Sequence, residues 1–208
     1  MTNRRDGSRR RGRRREAGQT LVEFALVFPL FLLLLLAVIE FTFVFSGMLG
    51  ISYATRDGAL IAAEAGNADG ADCLILRTVD DAVGAPADDN RIESIVIYRA
   101  DRNGVEMPGV SNTWVRGGST ACATGSPVPY TRTTNGYPEE SRCNIVAGDV
   151  GGGCEAGHDG LDTIGVRITY IHRWVTPLGG FPGPGFGGQG GSGFTLSQSN
   201  SMRMEPIL

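Results

Sequence analysis

The sequence predicts an α+β protein in which one long N-terminal helix is followed by a small antiparallel sheet. Three observations support this class. An apolar run near the N-terminus is long enough to cross a bilayer, which takes roughly 20 mostly apolar residues in a helix. Small apolar residues continue beyond it at helical spacing. The second half of the chain contains segments in which apolar and polar residues alternate, as in strands with one covered face.

A short basic segment, residues 1–18, precedes the apolar run. It contains eight arginines against Asp6 and Glu16, hence a charge of +6 in a chain whose net charge is −3. Arginines that flank only one end of an apolar run place that end in the cytoplasm. Such a tract could also contact nucleic acid. Beside a membrane span it is explained more simply as a topology signal, so we predict no nucleic-acid partner.

The predicted transmembrane helix covers residues 19–47. From Phe24 to Ile39 the sequence has no charged residue and no polar stripe of the kind that a soluble core helix shows. A cleaved secretory signal also starts basic, but its apolar core is usually about 7–15 residues long and ends at a small-residue cleavage site. Residues 46–52 fit such a site weakly. We therefore expect a single-pass membrane protein with a cytoplasmic N-terminus and an extracytoplasmic C-terminal part.

Two carboxylates lie in or beside this span, Glu23 and Glu40. Ionisable groups at membrane depth are costly and usually functional. Glu23 either sits among the headgroups, where it is solvated, or pairs with a positive group. Glu40 either reaches the outer interface or faces a partner helix.

The residues around Glu23 resemble the processing site of type IV prepilin-like proteins. Gly18 stands where the basic leader ends in that class, Gln19 would be the new N-terminus, and Glu23 would be the fifth mature residue. The series G-Q-T-L-V-E-F-A-L-V-x-P, followed by leucines and I-E-F, is similar to the TadE-like family, minor pilins of the Tad/Flp pilus system. Residues 54–59 also resemble the A-x-R-x-G-A segment that commonly closes the long helix in that family. The similarity covers residues 18–65, about a quarter of the chain.

The resemblance implies a pilin-like protein with a role in pilus assembly or in the pilus itself. It implies cleavage after Gly18 by a prepilin peptidase and pairing of Glu23 with a neighbouring subunit's terminal amine, which would set the register between subunits. Glu40 is a second candidate for such an assembly role. The implied partners are the membrane, other pilin-like subunits and the pilus assembly machinery, with homo- or hetero-oligomers formed through the N-terminal helix. The alternative is a permanently anchored cell-envelope binding protein that never enters a filament.

Beyond the span, residues 48–66 are predicted to extend the helix, with Gly66 and Asn67 as its stop. Residues 67–208 form the predicted extracytoplasmic α+β domain. A second helix is predicted over residues 71–83, followed by three or four antiparallel strands. The predicted strands cover residues 91–100, 105–107, 163–176 and 194–205, and the Asn103-Gly104 pair predicts a hairpin turn between the first two.

Four cysteines follow the span: Cys73, Cys122, Cys143 and Cys154. An even number in an extracytoplasmic segment favours disulfides, and the sequence leaves all three pairings open. Residues 108–160 are rich in Gly, Ser, Thr and Pro and are predicted to be a long irregular loop held by disulfides. Residues 179–193 are predicted to be a flexible glycine-rich loop.

The sequence does not point to catalysis, a metal or a cofactor. Five residues could be drawn together as a metal site: Cys143, Cys154, His158, Asp159 and Asp162. Their spacing fits no closed zinc pattern, and oxidised cysteines could not bind a metal. The other histidine, His172, is expected on a strand face as a packed or interfacial side chain. We therefore predict no enzyme activity, no metal and no cofactor.

Overall fold

The computed structural model describes residues 8–84, 87–123, 125–145, 154, 160–175 and 193–206, and only the backbone of residues 8–17. Helix α1 spans Ser8–Ala65, and helix α2 spans Ala71–Ala82. The predicted stop is confirmed, because Gly66 has a φ of 58°, a left-handed conformation that glycine adopts without steric cost. The start differs from the prediction: α1 begins inside the basic segment, where arginine is a good helix former.

Five strands follow the two helices. They are β1 (Ile92–Ala100), β2 (Glu106–Thr120), β3 (Val128–Asn135), β4 (Thr163–His172) and β5 (Phe194–Arg203). They form one sheet in the order β3-β2-β1-β4-β5, and each neighbouring pair is antiparallel. The predicted α+β class is therefore confirmed, with five strands in place of three or four. The α2, β1, β4 and β5 segments lie within two residues of their predicted bounds, apart from the C-terminal end of β4.

The prediction of an irregular loop over residues 108–160 was wrong in its first half, which contains most of β2 and all of β3. Pro108 and Gly109 lie where β2 shifts its register against β1. Gly117 and Gly118 lie where it shifts against β3. Glycine and proline here mark bulges within a strand, which a reading of composition does not distinguish from a loop. Of the predicted glycine-rich loop 179–193, all but the last residue lies outside the described residues.

The C-terminal half of α1 packs against the sheet and α2. Its buried residues recur every three or four positions, among them Ile51, Ala54 and Ala62. At Gly58 an added Cβ would lie 2.8 Å from Val79 Cγ2, so glycine permits the close approach of α1 to α2. We call α2 and the five-stranded sheet the head, and the head therefore packs on residues 40–65 of α1.

Strand β5 runs in the same direction as α1. Its first residue, Phe194, pairs with His172, whose ring contacts Glu40 of α1. Past its last residue, the amide of Glu205 donates to the carbonyl of Ala63 at 3.1 Å. The head is thus fastened to α1 at both ends of a stretch of about 35 Å, at roughly 1.5 Å per residue.

Candidate functional site

The first part of α1 is exposed on all sides. From Gly18 to Ile39 every residue is exposed except Leu36, which is half-buried. Leu21 and Leu26 are 69% and 74% exposed. The segment is about 33 Å long, close to the roughly 30 Å hydrocarbon core of a bilayer. Within the described ranges, α1 is the one helix long and apolar enough to cross a membrane.

We call residues 18–39 the bare segment. The predicted processing site lies at its start. Gly18, Gln19 and Glu23 are all exposed, and no described atom beyond the local helix lies within 4 Å of a Cβ placed at Gly18. Gln19 Nε2 donates to Glu23 Oε1 at 3.1 Å. A group at position 19 is therefore within reach of the Glu23 carboxylate one helical turn away.

Glu40 makes contacts within its own chain that the sequence analysis did not anticipate. Its side chain is 4% exposed, and its partners belong to the head of the same chain. His172 Nε2 lies 3.1 Å from Glu40 Oε1, and the amide of Val175 donates to both carboxylate oxygens at 3.1 and 3.2 Å. Glu40 thus fastens the C-terminal end of β4 to the helix, and a contact with another subunit stays a prediction.

An aromatic cluster surrounds this contact. The ring of His172 lies 6.3 Å from that of Trp174 and 5.2 Å from that of Phe194, and the last two rings are 5.7 Å apart. His172 is buried, which confirms the expectation of a packed histidine, whereas Trp174 and Phe194 are half-buried. The cluster forms the edge of the head where α1 emerges from it.

A second feature of α1 was missed by the sequence analysis. Four large apolar side chains point away from the head at intervals of four residues: Phe41, Phe45, Leu49 and Tyr53, which are 69%, 53%, 44% and 61% exposed. We call these four residues the outer stripe. Side chains four apart share one face of a helix, so the signal was present in the sequence. The sequence analysis followed the small residues on the opposite face.

Part of α1 matches a known protein family. Residues 18–60 match the model described as TadE-like protein. They are a TadE-like family domain. No curated protein and no solved structure matches the chain. The TadE-like domain contains the predicted processing motif, the bare segment, Glu40 and the outer stripe, whereas α2 and the sheet lie beyond it. The family is pilin-like, is linked to the Tad pilus and is not known to be catalytic.

Beyond the TadE-like domain, the four cysteines form two disulfides. Cys73 of α2 is bonded to Cys122, which follows β2, and Cys143 is bonded to Cys154. The prediction of disulfides is confirmed, and the structure selects one of the three pairings. The first bond ties α2 to the far end of β2, and no free cysteine is left in the chain.

A buried ion pair supports the N-terminus of α2. Arg142, whose side chain is fully buried, donates through Nη2 to Asp72 Oδ1, and Asn112 Nδ2 donates to Asp72 Oδ2 at 2.9 Å. The carboxylate of Glu139 accepts from the amides of Gly70 and Asp72 at 2.8 and 2.6 Å, which caps the helix. The buried Asp72 and Arg142 are thus paired with each other, while Nε and Nη1 of Arg142 have no hydrogen-bond partner among the described residues.

Of the five residues that could be drawn together as a metal site, the three that the structure describes have other bonding partners. Cys143 and Cys154 are oxidised, and Asp162 Oδ2 accepts from Tyr137 Oη at 2.7 Å and from the Cys143 amide at 3.0 Å. Burial, with the Asp162 carboxylate beside it, raises the pKa of Tyr137 far above its usual value. His158 and Asp159 lie outside the described residues, and the described ones contain no group of three candidate ligands.

Proposed function

We propose that this chain is a non-catalytic minor pilin or pseudopilin that acts in the assembly or anchoring of a Tad/Flp-type pilus. One observation carries the proposal. The TadE-like domain combines, on a single helix, a prepilin-type processing motif, a bare apolar segment of bilayer length and an outer stripe that the head leaves uncovered.

The proposed orientation has the N-terminus in the cytoplasm and the head outside. The eight arginines of the basic leader precede the bare segment, which favours this direction. Both disulfides lie in the head, and disulfides persist in oxidising compartments. Charge and cysteine chemistry therefore support the same topology.

Glu23 is the proposed register residue. Cleavage after Gly18 would create a positive amine on Gln19, and an exposed carboxylate within lipid is costly unless it is paired. Pairing with the amine of a neighbouring subunit removes that cost in one axial alignment of the two helices only. The outer stripe would then supply apolar contact between helices above the bare segment.

The first experiment is to determine the mature N-terminus by mass spectrometry of protein purified from its own membranes, with and without the host's prepilin peptidase. We expect a peptidase-dependent start at Gln19. An intact leader in both strains would refute processing and leave a permanently anchored envelope protein. Glu23→Ala should then reduce recovery in the pilus fraction, whereas Glu64→Ala, an exposed carboxylate higher on the same helix, should not.

Subunit contact through the outer stripe can be tested by cross-linking. Because all four native cysteines are bonded, an introduced cysteine is the only free thiol. Tyr53→Cys is matched by Val105→Cys in the head, since both native side chains are 61% exposed. We expect oxidative disulfide cross-links between two copies of the Tyr53 variant and none between copies of the Val105 variant. Equal yields would argue for an anchored protein outside any filament.

A further inference from the structure

We propose that the base of the head rests in the lipid–water interface of the membrane that α1 crosses. The base consists of Trp174, Val175 and Phe194, together with the adjacent Arg173. The proposal rests on the membrane anchoring proposed above, and it assigns to the head a lipid contact separate from the span.

The position of the base along the helix is the first argument. Glu40 is the first residue of α1 that the head buries, and it directly follows the bare segment that ends at Ile39. Val175 donates its amide to Glu40, and His172 contacts the same carboxylate. The base is therefore held at the level where a bilayer-length segment ends, within one or two residues.

The chemistry of the base is the second argument. Val175 is 55% exposed, and the rings of Trp174 and Phe194 are half-buried and 5.7 Å apart. Tryptophan is enriched at membrane–water interfaces, where its apolar ring meets lipid and its N–H meets water. If the base borders the membrane, lipid covers these apolar side chains and removes them from water.

Basic side chains at the same end are the third argument. Arg173 is exposed, and with Arg91 and Glu93 it borders a shallow cleft of about 250 Å³ beside the base. Arg91 is 3.6 Å from Asp88, and the two side chains are 28% and 44% exposed, so solvent weakens the pair. Guanidinium groups bind phosphate through paired hydrogen bonds, so these arginines suit the headgroup layer above the aromatic rings.

Tryptophan fluorescence tests the proposal, because the chain contains only two tryptophans. Trp114 is 3% exposed, and its Nε1 has no hydrogen-bond partner among the described residues, so Trp114→Phe strands no partner. The full chain carrying this change is placed in nanodiscs whose lipids are brominated either near the ester group or at mid-chain. We expect roughly twofold quenching of Trp174 by bromine near the ester group and less by bromine at mid-chain.

Two further variants separate the possible outcomes. Trp174→Phe keeps only Trp114, which is in register with Ile95 and Ile168 and so lies about 13 Å farther from the base. The fluorescence of Trp114 in this variant should not be quenched by either lipid. Phe31→Trp, in a chain lacking both native tryptophans, reports on the span and should be quenched by mid-chain bromine.

If the Phe31→Trp chain is quenched and Trp174 is not, the interfacial contact is overturned while the membrane anchoring stands. If neither is quenched, the anchoring fails as well. If Trp174 is quenched in discs that hold one chain, the lipid contact is supported even where a second chain shields it. If Trp174 is unquenched in single-chain discs as well, the lipid proposal is overturned.

Discussion

Replacing Glu40 with alanine should loosen the end of the head that lies next to the bare segment. The carboxylate accepts from the Val175 amide and contacts His172 Nε2, and both side chains of the Glu40–His172 pair are 4% exposed. Alanine would leave His172 Nε2 without this partner in a buried site and would remove the acceptor of the Val175 amide. The contact joins residues 132 positions apart in sequence, so its loss frees β4 from the helix and not from its sheet neighbours.

The size of the effect follows from these contacts. A buried polar group that loses its hydrogen-bond partner costs about 1–3 kcal/mol, and the Val175 amide adds a smaller part because its surroundings are partly open to water. We therefore expect the free energy of local opening to fall by about 2–3 kcal/mol, which speeds amide exchange roughly 30- to 150-fold. Glu40→Gln keeps one carbonyl acceptor and should have about a third of this effect.

Hydrogen–deuterium exchange on the full chain in nanodiscs measures this opening in the peptide covering residues 170–175. The matched control is Glu23→Ala on the same helix. The Glu23 carboxylate is exposed and contacts Gln19, not the head. Acceleration below threefold with Glu40→Ala, or equal acceleration with the control, would refute the fastening role of Glu40.

Two other predictions concern the head. Asp72→Asn should lower the free energy of unfolding by about 3–5 kcal/mol, because the Arg142 guanidinium stays buried without its counter-charge. Adding Arg142→Met should recover at least half of this loss in denaturant titrations, and strictly additive losses would contradict the pairing. Burial also raises the pKa of Tyr130 and Tyr137. The folded chain therefore holds these protons more tightly than the unfolded chain, so this stability is complete below the unfolded pKa of about 10 and falls as the pH rises beyond it. Tyrosinate absorbance should show both groups ionising only with unfolding, and ionisation in the folded chain near that pH would contradict the prediction.

The features set by local sequence were predictable. The end of α1 at Gly66 depends on one backbone conformation that glycine supplies, and α2 follows from helical spacing over a dozen residues. The alternation in β4 anticipated its buried face, from Ile164 to His172. Each of these signals lies within a few residues of the feature that it determines.

Contacts between distant segments were not predictable in the same way. The sequence showed that Glu40 was an unusual residue but not that His172 would meet it, because that depends on how the sheet docks on the helix. The choice of Cys122 as the partner of Cys73 likewise depends on where β2 ends relative to α2. The bulges of β2 concealed a strand of fifteen residues, because glycine and proline have the same local signature in a bulge and in a loop.

The parallel course of α1 and β5 determines how the molecule would carry mechanical tension. A pull on the head along the helix axis loads the interface between the head and residues 40–63 of α1 in shear. The contacts of this interface then bear the load together and do not break one after another. The only covalent path from α1 into the head is the short connection after Gly66, and the Cys73–Cys122 bond joins the next helix directly to the sheet. Tension entering at the sheet can therefore reach the N-terminal helix without unravelling the chain between them.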